Sequence, residues 1–271
     1  MNKLSKQKIY FITYGTKDFD IAAKHLIRLG EKSELFDKCI YFKPKDLSAR
    51  FKGRYEEIFN LQRGGGYWIW KHEIIKQTLE QVNENDIVVY CDSGSSFNIN
   101  GKGRFNDYLE MLNSSEFGNF RIECEKENIE KHWTSKEIFD YFKVPIGSKV
   151  TESTQLEATE IIFKKTNHTQ EYLESYKDVL SYDPFLITDK YNNHKQIDGF
   201  KENRHDQSIF SVLSKVLGCV SIPNETHFKG KESEQFKYPF LAVRTYGHGY
   251  KDKLKYLINY KKKYDIPVFF K

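Results

Sequence analysis

Asp86-Ile87-Val88-Val89-Tyr90-Cys91-Asp92-Ser93-Gly94-Ser95-Ser96-Phe97-Asn98 decides the fold of this 271-residue chain. Five strand-forming residues, Ile87 to Cys91, run without a break into an acid, small polar residues and a glycine. An apolar run of this length bounded by turn residues predicts a strand buried on both faces. A carboxylate delivered at the end of such a strand stands at the carboxyl edge of a sheet, where open α/β folds bind ligands.

Working outward, the segments on both sides alternate between strand and helix patterns. Lys8 to Thr13 reads as a first strand ending in Tyr14-Gly15-Thr16. Phe19, Ala22, Ala23, Leu26 and Leu29 then fall on one helix face, with Gly30 expected as its C-terminal cap. Cys39 to Phe42 is a second strand. Trp70, Ile74, Ile75, Leu79 and Val82 mark a second amphipathic helix that feeds the Ile87–Cys91 strand. A third, Arg104 to Leu112, carries Phe105, Tyr108, Leu109 and Leu112. Thr134-Ser135-Lys136-Glu137 reads as a capping box. Ile161-Ile162-Phe163 is strand-like, residues 170–180 are helical, and residues 183–200 are loop-like. Gln207 to Leu217 is a helix burying Ile209, Val212, Leu213, Val216 and Leu217, with Gly218 past its end and a short strand at Cys219 to Pro223. Alternation of this kind predicts an α/β fold with a helix-covered sheet. No internal repeat and no Gly-, Ser- or Pro-rich linker interrupts it, so a single domain spanning 1–271 is expected.

Composition narrows the class. Apolar residues make up only 39% of the chain, but 21 Phe and 18 Tyr supply enough burial area for a core, which excludes a disordered chain. The net charge of +5 comes from interspersed signs and shows no nucleic-acid stripe. Basic and aromatic residues alternate from Lys251 onward, so segment 251–271 is expected either as a solvated helix face or as a peripheral contact with an anionic membrane. Cys39, Cys91, Cys124 and Cys219 share no metal-ligand spacing and read as reduced thiols. With no signal-peptide run and no spanning stretch, the chain is expected to be cytoplasmic, with membrane contact only at the inner face. The sequons at Asn113, Asn167 and Asn224 are then accidental.

Several residues could carry chemistry. Asp92 at its strand end is one; the plainer reading is an Asx-turn with Ser95 and Ser96. Gly64-Gly65-Gly66 precede Tyr67-Trp68-Ile69-Trp70-Lys71. Three glycines allow a sharp bend or a close approach to a ligand, and amides at a helix start favour an anion. There Tyr67 or Trp68 would stack on a base or sugar and Lys71 would meet a phosphate. In Arg204-His205-Asp206-Gln207, Asp206 is placed to cap a helix.

That order of pieces resembles the nucleotide-sugar glycosyltransferases of the GT-A type, across roughly residues 8–255. It is similar to small bacterial and large-virus enzymes that build surface glycans. The resemblance implies a GT-A-like, Rossmann-type mixed sheet flanked by helices, with a nucleotide-binding half over about 8–112 and an acceptor-side half over about 113–250. It implies transfer of a sugar from a nucleoside-diphosphate sugar, UDP-linked by preference, to a glycan or lipid-linked acceptor. Thr13, Tyr14, Gly15, Gly65, Tyr67, Trp68, Lys71, Asp92, Ser93, Gly94 and Lys251 would hold the donor. Asp206, Gln207 and Asp92 would serve catalysis, and Gln155 and Glu157 would line the acceptor side. In the family a DxD motif holds a divalent metal. Here Gly94 replaces the second acid, leaving Asp92 and the late His248 as ligands for Mn²⁺ or Mg²⁺.

The incomplete motif also suggests an alternative, a nucleotide- or glycan-binding protein without catalysis. A nucleic-acid module using the basic tail is a third reading, against which stand the mixed charge elsewhere and the lack of a recognisable motif.

Overall fold

The computed structural model describes residues 6–228 and 234–242. His248, Lys251 and the basic segment 251–271, singled out above, lie outside the described residues.

Strands β1 (Ile9–Tyr14), β2 (Lys38–Phe42) and β3 (Ile87–Cys91) are parallel, with β1 in the middle. A two-residue strand, β4 (Ser96–Phe97), follows the β3 turn. Beyond it come β5 (Asn119–Ile122), β6 (Glu160–Lys164), β7 (Val220–Ile222) and β8 (Phe240–Leu241). The main sheet has the order β2-β1-β3-β6-β5-β7, and β4 pairs with β8 in a small second sheet. β6 runs antiparallel to both β3 and β5, so the sheet is mixed. The expected α/β class is the one observed, in one domain.

Five longer helices cover this sheet: α1 (Asp20–Ser33), α2 (Trp70–Gln81), α3 (Lys102–Asn113), α4 (Asn167–Tyr182) and α5 (Asp206–Leu217). Side chains alternate across a strand, and β3 shows the consequence. Val88 and Tyr90 pack in a core with Ile74 and Ile75 of α2, Tyr176 of α4 and Phe210 of α5. Ile87, Val89 and Cys91 pack on the other face with Leu26 of α1 and Phe105 and Leu112 of α3. Both faces are dry, which is why the strand reads as an unbroken apolar run. Asp86, just before β3, accepts bonds from the amides of Lys8 and Asn83, so this acid braces the amino edge of the sheet.

Local expectations fail where tertiary contacts override them. Gly30 is not a cap: α1 continues to Ser33 and ends at Glu34 with φ 56°. A Cβ on Gly30 would stand 2.8 Å from the Phe11 ring, so close packing on β1 requires the glycine. The capping box at Thr134 also fails. The short helix Lys136–Tyr141 starts after Ser135 without a side-chain cap, Thr134 Oγ1 donates to Glu130, and Gln196 donates to Glu137. Gly218 does end α5 as expected, with φ 96°, but Val216 is exposed.

Candidate active site

Parallel β1 and β3 finish at the same edge, where Thr13 Oγ1 donates to the Cys91 carbonyl at 2.7 Å and ties the strand ends together. The next residue is Asp92. Its amide donates to Thr159 O, and its carbonyl accepts from Ser95 N at 2.9 Å, closing the turn through backbone groups. The side chain is therefore not the one that closes an Asx-turn. It accepts from the Tyr90 hydroxyl and lies 3.2 Å from Lys71 Nζ, and it keeps about 30% of its surface open.

Lys71 is the centre of the arrangement. From the first turn of α2 its stem runs inward until Nζ donates to Ala158 O at 2.8 Å. Nζ stands 4.9 Å from the centre of the Tyr90 ring and 2.6 Å from Asp206 Oδ2. The side chain is 2% exposed. Burial by itself drives an ammonium pKa down; Asp206 and Asp92 outweigh it and raise the pKa, so Lys71 stays charged. Asp206 is pushed up to about 6, first by burial and then by the nearby charge of Asp92, against the pull of Lys71. Two carboxylates thus share one ammonium at the end of the sheet.

Asp206 reaches this place as the first residue of α5, and His205 takes the cap position without a capping bond. The expected N-cap role is thus not observed, since the Asp206 carboxylate is turned toward Lys71. His205 has φ 60° and ψ −125°, a conformation rare outside glycine. Its Nε2 lies 3.0 Å from Asp189 Oδ1, and Asp189 also accepts from Arg63 and from the Tyr67 hydroxyl, each at 2.8 Å.

Those contacts latch the glycine run. Gly64, Gly65, Gly66, Tyr67 and Trp68 have φ values of 58°, 62°, 96°, 49° and 57°, one turn of left-handed helix. Left-handed backbone costs an ordinary residue roughly 1–2 kcal/mol, so Tyr67 and Trp68 need outside support. Tyr67 is held by Asp189, and the Trp68 ring stacks on His205 at 5.3 Å. The turn's amides bond internally, Gly66 N and Tyr67 N to Arg63 O and Gly65 N to Gln62 O. The sharp bend is as expected; the amide cradle for an anion is not formed. Trp70, just beyond, donates to Gly64 O and stacks on Tyr14 at 3.8 Å, which seats the turn against the end of β1. A Cβ on Gly65 would stand 3.2 Å from Thr16 Cγ2, which places the turn beside the segment that follows β1.

On the other flank, Gln207 Nε2 donates to Gln155 Oε1 at 2.7 Å, while the Gln155 amide nitrogen is held by Glu130 and Thr134. Gln155 is fully buried behind Gln207 and sets its orientation. Glu157 Oε1 accepts from Asn224, Thr226 and His227. Burial, and after it the charge of Glu157, pushes the pKa of Glu160 well up. Ser93 is nearly buried and Gly94 half-buried within the β3 turn.

Asp92, Lys71, Asp206, Gln207 and Gln155 are thereby joined in one continuous network, and Tyr67 and Trp68 border it through His205. Sequence reasoning missed Tyr90, Asp189, Glu130 and Glu160. Tyr90 lay in view inside the strand; the others have no local signature. Among the described residues no three His, Cys, Asp or Glu side chains converge to hold a metal ion. Asp92 alone, with one oxygen already engaged by Lys71 and Tyr90, does not make such a site.

No protein-family model matches the chain, and no curated protein matches its sequence. Among solved structures it is similar to a glycosyltransferase involved in glycosylation of the major capsid of PBCV-1. That match has TM-score 0.49 and 11% identity, over 92% of this chain and 99% of the other. It is also similar to the galactosyltransferase LgtC, solved with donor and acceptor sugar analogs, at TM-score 0.42 and 11% identity over 81% and 75% of the two chains. A third match is 4-diphosphocytidyl-2C-methyl-D-erythritol synthase from Anaerococcus prevotii, at TM-score 0.42 and 8% identity over 92% and 96%. These are likenesses of fold.

Proposed function

We propose that the chain is a GT-A-type glycosyltransferase that moves a sugar from a nucleoside-diphosphate sugar, UDP-linked by preference, to a glycan or lipid-linked acceptor in surface polysaccharide synthesis. The observation that carries this reading is the buried Lys71 ammonium fixed between Asp92 and Asp206 at the carboxyl edge of the sheet.

Two carboxylates and one ammonium leave the site with one net negative charge. A sugar carbon losing its diphosphate becomes electron-poor, and a fixed negative field stabilises that state without reorganising. The half-open Asp92 carboxylate accepts hydroxyls of the ribose or donor sugar. Lys71 keeps Asp92 and Asp206 at a set separation, which holds the sugar in a reactive pose. The Gln207 amide, oriented by Gln155, lies beside the sugar and the incoming acceptor. The diphosphate requires positive charge from elsewhere; the proposal assigns Lys251 to it, and Asp92 and His248 would hold Mn²⁺ or Mg²⁺ together with the phosphates. Cytoplasmic location, with contact to the inner membrane face through segment 251–271, belongs to the same proposal. No helix of the described residues is long and apolar enough to cross a membrane.

Thermal shift against UDP, GDP, dTDP and CMP, with and without Mn²⁺, tests the donor class, since a ligand bound only by the folded state raises its melting temperature. A rise with one nucleoside diphosphate is expected. Indifference to all four nucleotides would remove the reading.

A further inference from the structure

α2 also borders a second concavity. Between it, the helical turn Ala49–Arg54 and α4 lies a cavity of about 310 Å³. Four cations line it, Arg50 and Arg54 from the turn, Lys76 from α2 and Lys177 from α4, against one acid, Glu73. Three separate segments therefore contribute positive charge to one hollow, which a single solvated helix face would not do.

The existing partners of these cations are weak ones. Lys76 and Lys177 pair with Glu80 and Glu174 on their own helices, and those acids are 59% and 49% exposed. Exposed pairs of this kind contribute little and yield to a better anion. Arg54 Nη2 donates to Ser181 Oγ at 2.7 Å, and both arginines are exposed. Glu73 accepts from Gln77 on its own helix. A phosphate has three strong acceptor oxygens, and arginine forks match them in pairs.

The rest of the lining sets the ligand's size and body. Phe51 and Tyr55 meet edge to face at 5.1 Å and form an aromatic wall. His72 adds shape and no charge, because its Nε2 is engaged with Leu173 O at 2.9 Å and burial pushes its pKa down to about 4. Aromatic walls pack against the C–H faces of sugars, and the volume suits one monosaccharide with its phosphate. We propose that this cavity is a binding site, separate from the Asp92–Lys71–Asp206 centre, for a phosphate ester of hexose size. A free sugar phosphate and the headgroup of an anionic phospholipid share that chemistry.

Calorimetry with glucose 1-phosphate and co-sedimentation with phosphatidylinositol–phosphatidylcholine vesicles separate the two sources. The variants are Arg50→Glu/Arg54→Glu, the milder Arg50→Gln/Arg54→Gln, and Lys149→Glu as a control on a turn that contacts α5. Saturable binding in either arm is expected, weakened about tenfold or more by both double variants and unchanged in the control. The arm that binds identifies the source. Absence of binding in both arms, binding that survives the double variants, or equal loss in the control overturns the proposal.

Discussion

Lys71 Nζ lies 2.6 Å from Asp206 Oδ2, so the start of α2 and the start of α5 meet through a buried ion pair at the end of the sheet. Asp92 completes the cluster from β3. Removing the ammonium would leave the buried Asp206 carboxylate beside Asp92 with no counter-ion. Lys71→Met should therefore cost about 3–5 kcal/mol of stability. The double variant Lys71→Met/Asp206→Asn should recover much of that loss while remaining inactive. Urea denaturation of both checks it; a single variant as stable as the parent would mean that the pair is not coupled.

The same cluster sets a pH dependence. Asp206 has its folded pKa raised from 3.8 to about 6, so between those values the folded state holds a proton that the unfolded chain releases. Stability contributed by this group should be full below its unfolded value and should fall as pH rises toward about 6, by roughly 2–3 kcal/mol. Asp206→Asn should flatten that slope. Transfer should instead rise over the same window, because the ionised carboxylate is the form the reaction uses. Melting temperature and turnover measured from pH 4 to 8 test both directions.

Asp92→Asn keeps size and removes charge. The Tyr90 hydroxyl and the Thr159 carbonyl still hold the turn, so folding should be nearly intact while transfer falls by about tenfold or more. Turnover within a factor of two of the parent would take Asp92 out of the site.

At Gly64 a methyl group would stand 2.5 Å from the Trp68 ring, at a φ of 58°. Gly64→Ala should displace Trp68 from His205 and destabilise by about 2 kcal/mol. Tryptophan fluorescence with a denaturation curve reads both effects; an unchanged spectrum and midpoint would mean that the left-handed turn is not required.

Metal binding should depend on the nucleotide. The free protein offers Asp92 with one oxygen engaged, so Mn²⁺ or Mg²⁺ affinity should be weak until a diphosphate completes the oxygen shell. His248→Ala should weaken the joint binding. Calorimetry showing tight metal binding to the free protein, or nucleotide affinity indifferent to EDTA, would leave lysines and arginines to neutralise the diphosphate.

The sheet and its helices were legible because their signals are periodic and local: β3 as an apolar run, α2 and α5 as three- and four-residue spacings. Asp92 and Asp206 stood out because each sits where an element begins or ends. Lys71 also stood out, but as a phosphate contact; its place between the two acids was not legible, since a lysine on a helix gives no hint that it turns inward until the fold supplies two carboxylates. Gly30 was misread for a related reason: its smallness answers to Phe11 on β1 and not to the end of its own helix. The glycine run announced positive φ, yet its continuation through Tyr67 and Trp68 depends on Asp189 and His205, which are distant in sequence.

The most direct test of the central claim is nucleoside-diphosphate release from a panel of nucleotide sugars, UDP-linked donors first, by the parent and by folded Asp206→Asn. The account predicts release by the parent from at least one donor and a loss of about a hundredfold or more in the variant. Equal release by both, or none from any donor by a parent that binds the nucleotide, would contradict it.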